Sequence, residues 1–150
     1  MHQTAVREAE ERDIPELCYL MRKYIVDFYK RDTPKDSDLR AHIELLLISP
    51  ELGLQLVAEV NHQIVGFATL YFTFSTLSLK RTAILNDLFV SSEFRGLKLG
   101  EHLFKECAKF VRENDLAGMT WETAEDNKIA QSLYEKLGGK RSEWLHYELS

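Results

Sequence analysis

The 150-residue chain contains little proline, little glycine and almost no cysteine: three, seven and two residues. With few chain-breaking residues and no low-complexity stretch, neither a collagen-like repeat nor a disordered linker is expected. Cys18 and Cys107 are isolated and stand among apolar neighbours, so we expect reduced, buried thiols and neither a disulfide nor a metal site. The sequence predicts one domain, residues 1–150, large enough to bury a core of its own.

The chain also lacks an excess of positive charge, with 19 Lys and Arg against 24 Asp and Glu and a formal net charge of −5. Binding to nucleic acid or to an anionic membrane needs positive surface, so neither partner is expected. No apolar run approaches a membrane span, and the opening MHQTAVREAEERD has no signal-peptide core, so we expect a cytoplasmic protein. The acidic excess serves solubility first and is compatible with a cationic small-molecule substrate.

Hydrophobic spacing predicts the element order β-α-α-β-β-β-α-β-α-β. Asp13 and Glu16 form a capping-box pattern before the first helix, whose apolar positions recur from residue 14 to residue 28. The other helices are expected at 39–48, from 99 to about 114, and at 127–137. The strands are expected at 5–9, 54–60, 64–74, 82–90, 119–123 and 144–149. This order predicts an α/β (α+β) sandwich whose sheet is mixed and mostly antiparallel, with about four helices and a parallel strand–helix–strand unit.

The stretch RGLKLG, residues 95–100, joins a predicted strand to a predicted helix. Backbone N–H groups at a helix start are unpaired and attract anions. Gly96 and Gly100 let a ligand approach the backbone, and Arg95 and Lys98 add positive charge. A diphosphate fits this loop, although the Walker and GxGxxG patterns are both absent and an ordinary βα turn can also hold two glycines.

A second motif lies downstream of this loop. Asn127, Ala130, Tyr134 and Gly138 match the spacing Asn-x-x-Ala-x-x-x-Tyr-x-x-x-Gly. With RGLKLG and the preceding NDLFV, the chain resembles the GNAT superfamily of acetyl-CoA-dependent N-acetyltransferases over essentially its whole length. Lys98 stands where that family usually has glycine, and we expect it to fit there only with ordinary φ and ψ angles.

The resemblance implies acetyl-CoA as co-substrate and a sheet that splays between its fourth and fifth strands. The pantetheine would lie in that gap against the fourth strand, and strand N–H groups would stabilise the negative oxygen that develops when the amine attacks the thioester directly. The implied cofactor-binding residues are Leu88, Phe89, Val90, Arg95, Gly96, Leu97, Lys98, Leu99, Gly100, Asn127 and Ala130.

Two residues carry the implied catalytic chemistry. Tyr134 would protonate the leaving thiolate, or it is a core aromatic at the flank of its helix. Asp87, on the fourth strand beside the thioester, would help the protonated amine lose its proton, or it is a solvated strand-end carboxylate. Glu122, on the fifth strand, and a water chain are the alternatives for this base.

The sequence says less about which amine accepts the acetyl group. The chain most resembles the diamine (polyamine) branch of the family, which has Glu-Asp where this chain has Asn86-Asp87. Asn86 can accept a hydrogen bond but cannot take a proton. The first-helix residues expected to face the substrate read YIVDFY, residues 24–29. The substrate-binding candidates are Asp27, Asn86 and Glu122.

Three functions remain open at this level. They are a small-molecule amine N-acetyltransferase, an acetyltransferase for protein N-termini or lysines, and an acyl-CoA sensor without turnover. The sensor is favoured by the absence of a carboxylate at Asn86 and by the lysine at position 98, and the presence of Tyr134 opposes it. The apolar alternation in WLHYEL, residues 144–149, permits a homodimer built on the last strand.

Overall fold

The computed structural model describes residues 2–150. Its strands are β1 (Thr4–Glu8), β2 (Gly53–Val60), β3 (Gln63–Ser75), β4 (Lys80–Val90) and β5 (Met119–Thr120), and its helices are α1 (Ile14–Lys23), α2 (Asp36–Ile48), α3 (Leu99–Glu113) and α4 (Lys128–Lys136). The sheet order is β1-β2-β3-β4-β5, antiparallel up to β4 and parallel between β4 and β5. The predicted mixed α/β (α+β) sandwich with four helices is confirmed. Within the described chain, no helix combines the length and apolarity needed to cross a membrane.

The sheet separates two hydrophobic cores, because side chains alternate between its faces. On one face, α1 and α2 cover Val57, Phe67 and Phe89. On the other face, α3 covers a second set that includes Leu56 and Leu85, and α4 packs at its margin. Both cysteines are buried and free, as expected, with one in each core.

The expected last strand at residues 144–149 does not form, which corrects the prediction from alternation. Trp144 is 85% exposed and Leu149 is fully exposed. A strand needs a neighbour for its hydrogen bonds, and β5 has only two residues, Met119 and Thr120, instead of the five expected. The edge beside β5 is therefore too short to pair a sixth strand. The homodimer stays a prediction.

The predicted capping box of Asp13 and Glu16 is absent. The backbone of Asp13 is helical, with φ −85° and ψ −10°, and its side chain makes no cap hydrogen bond to α1. A capping box forms one turn earlier instead, with Glu10 as N-cap and Asp13 as the third residue of the 3-10 turn Glu11–Asp13. The buried Asp13 carboxylate instead accepts two hydrogen bonds from Arg7, at 2.7 and 2.9 Å, and one from the Glu10 amide at 2.7 Å. The sequence pattern was misread because the partner that decides the role of Asp13 lies upstream, on β1.

The first helix changes its winding near its end. After α1, residues Tyr24–Phe28 form a π-helical turn, and the Tyr29 amide donates to the Tyr24 carbonyl at 3.1 Å. In an α-helix, with 3.6 residues per turn, Tyr24 and Phe28 would lie on one face but Tyr29, five residues after Tyr24, would not. The wider turn brings Tyr24, Phe28 and Tyr29 together beside the sheet.

Candidate active site

A cavity opens where β4 and β5 separate. The two strands pair only through Ala83–Met119 and Ile84–Thr120, which confirms the predicted splay. The cavity has a volume of about 400 Å³. It is lined by residues 84–87 of β4, residues 120–122 at the end of β5, and the side chains of Tyr24, Tyr29 and His146.

A β-bulge places Asp87 at this cavity. Thr69 pairs with Asp87 and Leu70 pairs with Leu85, so Asn86 has no partner on β3. The inserted residue bends the strand and turns the next side chain. Asn86 is exposed, and its Nδ2 donates to Asp87 Oδ1 at 3.1 Å. The bulge thus presents an amide and a carboxylate together at one end of the cavity.

Two tyrosines lie close enough to Asp87 to feel its charge. Burial and then a hydrogen bond with Tyr29 raise the pKa of Tyr24, and the Asp87 carboxylate raises it further. Burial, with a contribution from Asp87, raises the pKa of Tyr71 to about 12. Both hydroxyls therefore keep their protons at neutral pH and can serve as hydrogen-bond donors. Tyr71 Oη also lies 2.8 Å from His42 Nε2.

Tyr134 is not among the residues that line the cavity, and it packs behind one of them. Its ring packs against Trp121, a lining residue, at 5.4 Å and against Phe104 at 5.8 Å. Burial and then the proximity of Tyr29 raise the pKa of the Tyr134 hydroxyl. The ring is thus a partly buried core aromatic whose hydroxyl stays protonated at neutral pH, so a packing role and an acid role are compatible.

The loop between β4 and α3 adopts two left-handed backbone conformations. Gly96 has φ 92°, and Lys98, directly before α3, has φ 60° and ψ 27°. The expectation that Lys98 keeps ordinary angles is wrong. The chain must turn sharply between a 3-10 turn at Ser92–Phe94 and the helix start, and the left-handed region makes that turn at a cost to any residue with a Cβ. Arg95 Nε donates to the Val90 carbonyl at 3.3 Å and ties the loop to β4.

The start of α3 has the features of a phosphate site. Its first helical hydrogen bond runs from the His102 amide to the Lys98 carbonyl at 3.0 Å, so the amides of residues 99–101 precede the first helical bond and have no helical acceptor. A Cβ built on Gly96 or Gly100 would meet no atom within 4 Å, so open space lies beside both. Leu99 belongs to the core on the α3 side, which anchors the first turn of the helix. These residues fit the diphosphate of a coenzyme A thioester.

The start of α4 is fixed by its own cap. Asn127 Oδ1 accepts a hydrogen bond from the Ala130 amide at 3.1 Å, which confirms Asn127 as the N-cap residue. This cap orients the first turn of α4 and, one turn later, the ring of Tyr134.

Residues 5–139 of the chain match the acetyltransferase (GNAT) family. The chain belongs to this family. It is 34% identical over 149 residues to the uncharacterized N-acetyltransferase YhfO of Bacillus subtilis strain 168, which covers 97% of this chain and 96% of the relative. It is 30% identical over 144 residues to the thialysine N-epsilon-acetyltransferase of Bos taurus, which covers 90% of this chain and 83% of the relative.

A solved structure agrees with this assignment. The crystal structure of a probable acetyltransferase superposes with a TM-score of 0.86 at 31% identity and covers 97% of each chain. The protein is therefore an N-acetyltransferase of GNAT type, a family that uses acetyl-CoA.

The cavity brings together most of the residues predicted to act on the acceptor. Asn86, Asp87 and Glu122 line the cavity. Asp27, on the π-helical turn, is not among the lining residues in the described part of the chain. Glu122 Oε1 lies 3.3 Å from His146 Nδ1, a contact that the sequence did not reveal because residues 144–149 were assigned to a strand.

Proposed function

We propose that the protein transfers the acetyl group of acetyl-CoA to the primary amine of a small cationic molecule by direct attack in a ternary complex. The observation that carries this proposal is the Asp87 carboxylate, which the β4 bulge presents to the cavity between β4 and β5. Its side-chain partner is the neutral Asn86 amide, and no Lys or Arg in the described residues forms an ion pair with it. A carboxylate so placed attracts a protonated amine and can take its proton.

The cofactor side of the proposal rests on the loop and on two helix starts. The amides at the start of α3, with Arg95, Gly96, Lys98 and Gly100, would bind the diphosphate. The backbone of Leu97 and Leu99 would belong to the same diphosphate site. The β4 edge at Leu88, Phe89 and Val90 would bind the pantetheine. Asn127 and Ala130, in the first turn of α4, would complete the coenzyme site. Acetyl-CoA, when bound, supplies an activated acetyl thioester.

Two proton movements follow from the residues at the cavity. Asp87 takes a proton from the incoming ammonium group, since an alkyl amine with a pKa of about 10.4 is mostly protonated at neutral pH. Asn86 orients that carboxylate through its 3.1 Å hydrogen bond. Tyr134 gives its proton to the sulfur of the departing thiolate, which leaves as a thiol, and the phenolate then regains a proton from solvent. The raised pKa of Tyr134 ensures that the hydroxyl carries a proton at neutral pH when the thiolate forms.

The acceptor is proposed to be a small amine because the cavity is limited and carries carboxylates. Its volume is about 400 Å³, and Asp87 and Glu122 both line it. Relatives named thialysine N-epsilon-acetyltransferase point to the same chemistry, a terminal amine on a small molecule. Thialysine and short diamines therefore stand first among candidate acceptors.

Two measurements test the proposal. Thermal unfolding with and without acetyl-CoA should show a rise in Tm with the co-substrate, since a ligand that binds only the folded state stabilises it. Thiol release should then be measured over thialysine, diamines, amino acids and peptides. We expect turnover with the small amines. Turnover with peptides alone would identify a protein acetyltransferase, and a Tm rise without turnover on any amine would identify an acyl-CoA sensor.

A further inference from the structure

Two aromatic rings stand exposed beside the cavity without a role in the core. Phe28 is 57% exposed and Tyr29 is 53% exposed. Neither belongs to the two hydrophobic cores, whereas the neighbouring Tyr24 packs against the core that α1 and α2 cover. Exposed aromatic residues that adjoin one another outside the core are typical of a binding surface, unlike single exposed ones. Here that surface adjoins the cavity, because Tyr24 and Tyr29 both line it.

The π-helical turn holds the three rings in one cluster. The Phe28 and Tyr29 rings lie 5.0 Å apart at 75°, and Tyr24 and Tyr29 lie 5.0 Å apart at 84°. Tyr24 and Phe28 stack at 5.9 Å. π-helical turns are rare and often lie at functional sites. We call the cluster of Tyr24, Phe28 and Tyr29 the aromatic face, and in it more than half of Phe28 and of Tyr29 is exposed to solvent.

Two other aromatic rings of the protein each lie beside a cationic side chain. Lys23 Nζ lies over the ring of Tyr19, 5.4 Å from its centroid, and Arg81 lies over Phe72 at 4.9 Å. Across residues 2–150, no lysine or arginine covers Phe28 or Tyr29 in this way. The negative face of an aromatic ring attracts a cation, most strongly one that is weakly hydrated. Phe28 and Tyr29 are therefore free to bind a cation from outside the chain.

We propose that Phe28 and Tyr29 bind a second positive charge of the acceptor, beyond the amine that reacts. This inference rests on the proposed function, in which the reacting amine lies at Asp87. It adds that the acceptor carries a second, distal cationic group and that the aromatic rings bind that group. Carboxylates recognise an ammonium group through its N–H donors, whereas aromatic rings recognise its charge and apolar surface. A trimethylated distal nitrogen separates the two, because it keeps the charge and has no N–H.

The test compares three acceptors that share one linker and one reactive primary amine. Their distal groups are ammonium, trimethylammonium and the neutral tert-butyl group, which has the shape of trimethylammonium. With the wild-type protein, kcat/KM for the trimethylammonium acceptor should exceed that for the tert-butyl acceptor about tenfold and should equal or exceed that for the ammonium acceptor. Equal values for the charged and neutral groups, or a strong loss on trimethylation, would overturn the proposal.

Variants locate the effect. Phe28→Leu and Tyr29→Leu should each reduce the preference for trimethylammonium over tert-butyl to about twofold, while Tyr29→Phe, which keeps the ring, should retain it. Tyr19→Leu is the matched control, an exposed aromatic on α1 that does not line the cavity and should leave the preference intact. A preference that survives Phe28→Leu and Tyr29→Leu together would assign the charge recognition to the carboxylates and contradict the proposal.

A binding measurement separates this inference from the proposed function. Calorimetric titration of the trimethylammonium acceptor into the protein without acetyl-CoA should give binding at least fivefold tighter than the tert-butyl acceptor, and Phe28→Leu should remove the difference. This result can hold even if no acceptor turns over, in which case only the proposed reaction fails. If all three acceptors turn over but the trimethylammonium and tert-butyl acceptors bind equally tightly, the role of the aromatic face is contradicted and the proposed reaction is retained.

Discussion

Asn86 donates a 3.1 Å hydrogen bond to Asp87, the residue that follows it, and this contact exists because β4 inserts Asn86 without a partner on β3. The bulge exposes the amide and directs the carboxylate toward the cavity beside Tyr24. A regular strand would have placed two consecutive residues on opposite faces of the sheet. The proposed base therefore depends on one inserted residue.

Replacing Asp87 by Asn should lower kcat/KM for an amine acceptor by about 10²–10⁴-fold, because the variant cannot accept the amine proton. The loss should diminish as the pH rises toward the pKa of the free amine, since more of the acceptor is then already deprotonated. Thiol release measured from neutral to alkaline pH checks both effects. Asp115→Asn, at an exposed carboxylate paired with Lys80, is the control and should match wild type. A pH profile for Asp87→Asn that parallels wild type would speak against Asp87 as base.

The Tyr134→Phe variant keeps the ring that packs on Trp121 and Phe104 and removes only the hydroxyl. We expect kcat to fall by about 10²-fold or more, while the acetyl-CoA dissociation constant changes little. Single-turnover thiol release and calorimetry give the two quantities. Tyr19→Phe should change neither of them. Unchanged turnover in Tyr134→Phe would reduce Tyr134 to a packing residue.

Lys98 offers a test of backbone strain against charge. Lys98→Gly should raise the unfolding free energy by about 1 kcal/mol, because glycine adopts the left-handed conformation without the Cβ clash. For a chain of this size that corresponds to a Tm rise of about 2–4 °C.

Lys98→Ala separates the two effects, since it removes the charge and keeps the strained Cβ. It should give no such rise in Tm. If Lys98 contacts a phosphate, both variants should bind acetyl-CoA about two- to fivefold more weakly. A fall in Tm for Lys98→Gly would mean that the left-handed conformation is not a source of strain.

The ion pair between Arg7 and Asp13 makes stability depend on pH. The hydrogen bonds from Arg7, opposed in part by burial, hold the pKa of Asp13 below its ordinary value in the folded protein. A lowered folded pKa means that the contribution is present above the unfolded pKa, about 3.9, and is lost as the pH falls through the folded pKa.

Asp13→Asn should therefore destabilise the protein by about 2 kcal/mol at pH 7, and the difference from wild type should shrink below about pH 4. Urea unfolding at several pH values measures it. Glu10→Gln, which alters an exposed ion pair with Arg12, should cost under about 1 kcal/mol. A difference between Asp13→Asn and wild type that persists undiminished at acid pH would exclude the ionic origin.

Much of this architecture was predictable because it depends on local patterns. The N-cap at Asn127, the hairpin of β2 and β3 and the turn at residues 95–100 each follow from a few adjacent residues. Three features were not predictable from these patterns. Asp13 pairs with Arg7 on β1 instead of capping α1, and the alternating residues 144–149 find no strand to pair with. The π-helical turn brings Tyr29 beside Tyr24, five residues away, which α-helical spacing would not do.

The site shows the same division. Gly96 lies in the loop before α3 and Tyr134 lies on α4, as the motif spacing predicted. The bulge at Asn86 and the contact of His146 with Glu122 have no local sequence pattern that would predict them. Position 98 is instructive, since the family pattern points to glycine and the backbone indeed adopts the conformation that glycine prefers.

Within residues 2–150, the two cores that the sheet separates share no side chain. The proposed acceptor residues at the π-helical turn belong to the α1–α2 side, and the proposed coenzyme-binding helix start belongs to the α3 side. Substitutions that reshape one side thus need not repack the other. This division would let mutations change the acceptor specificity of the fold without altering the residues proposed to bind the acetyl donor.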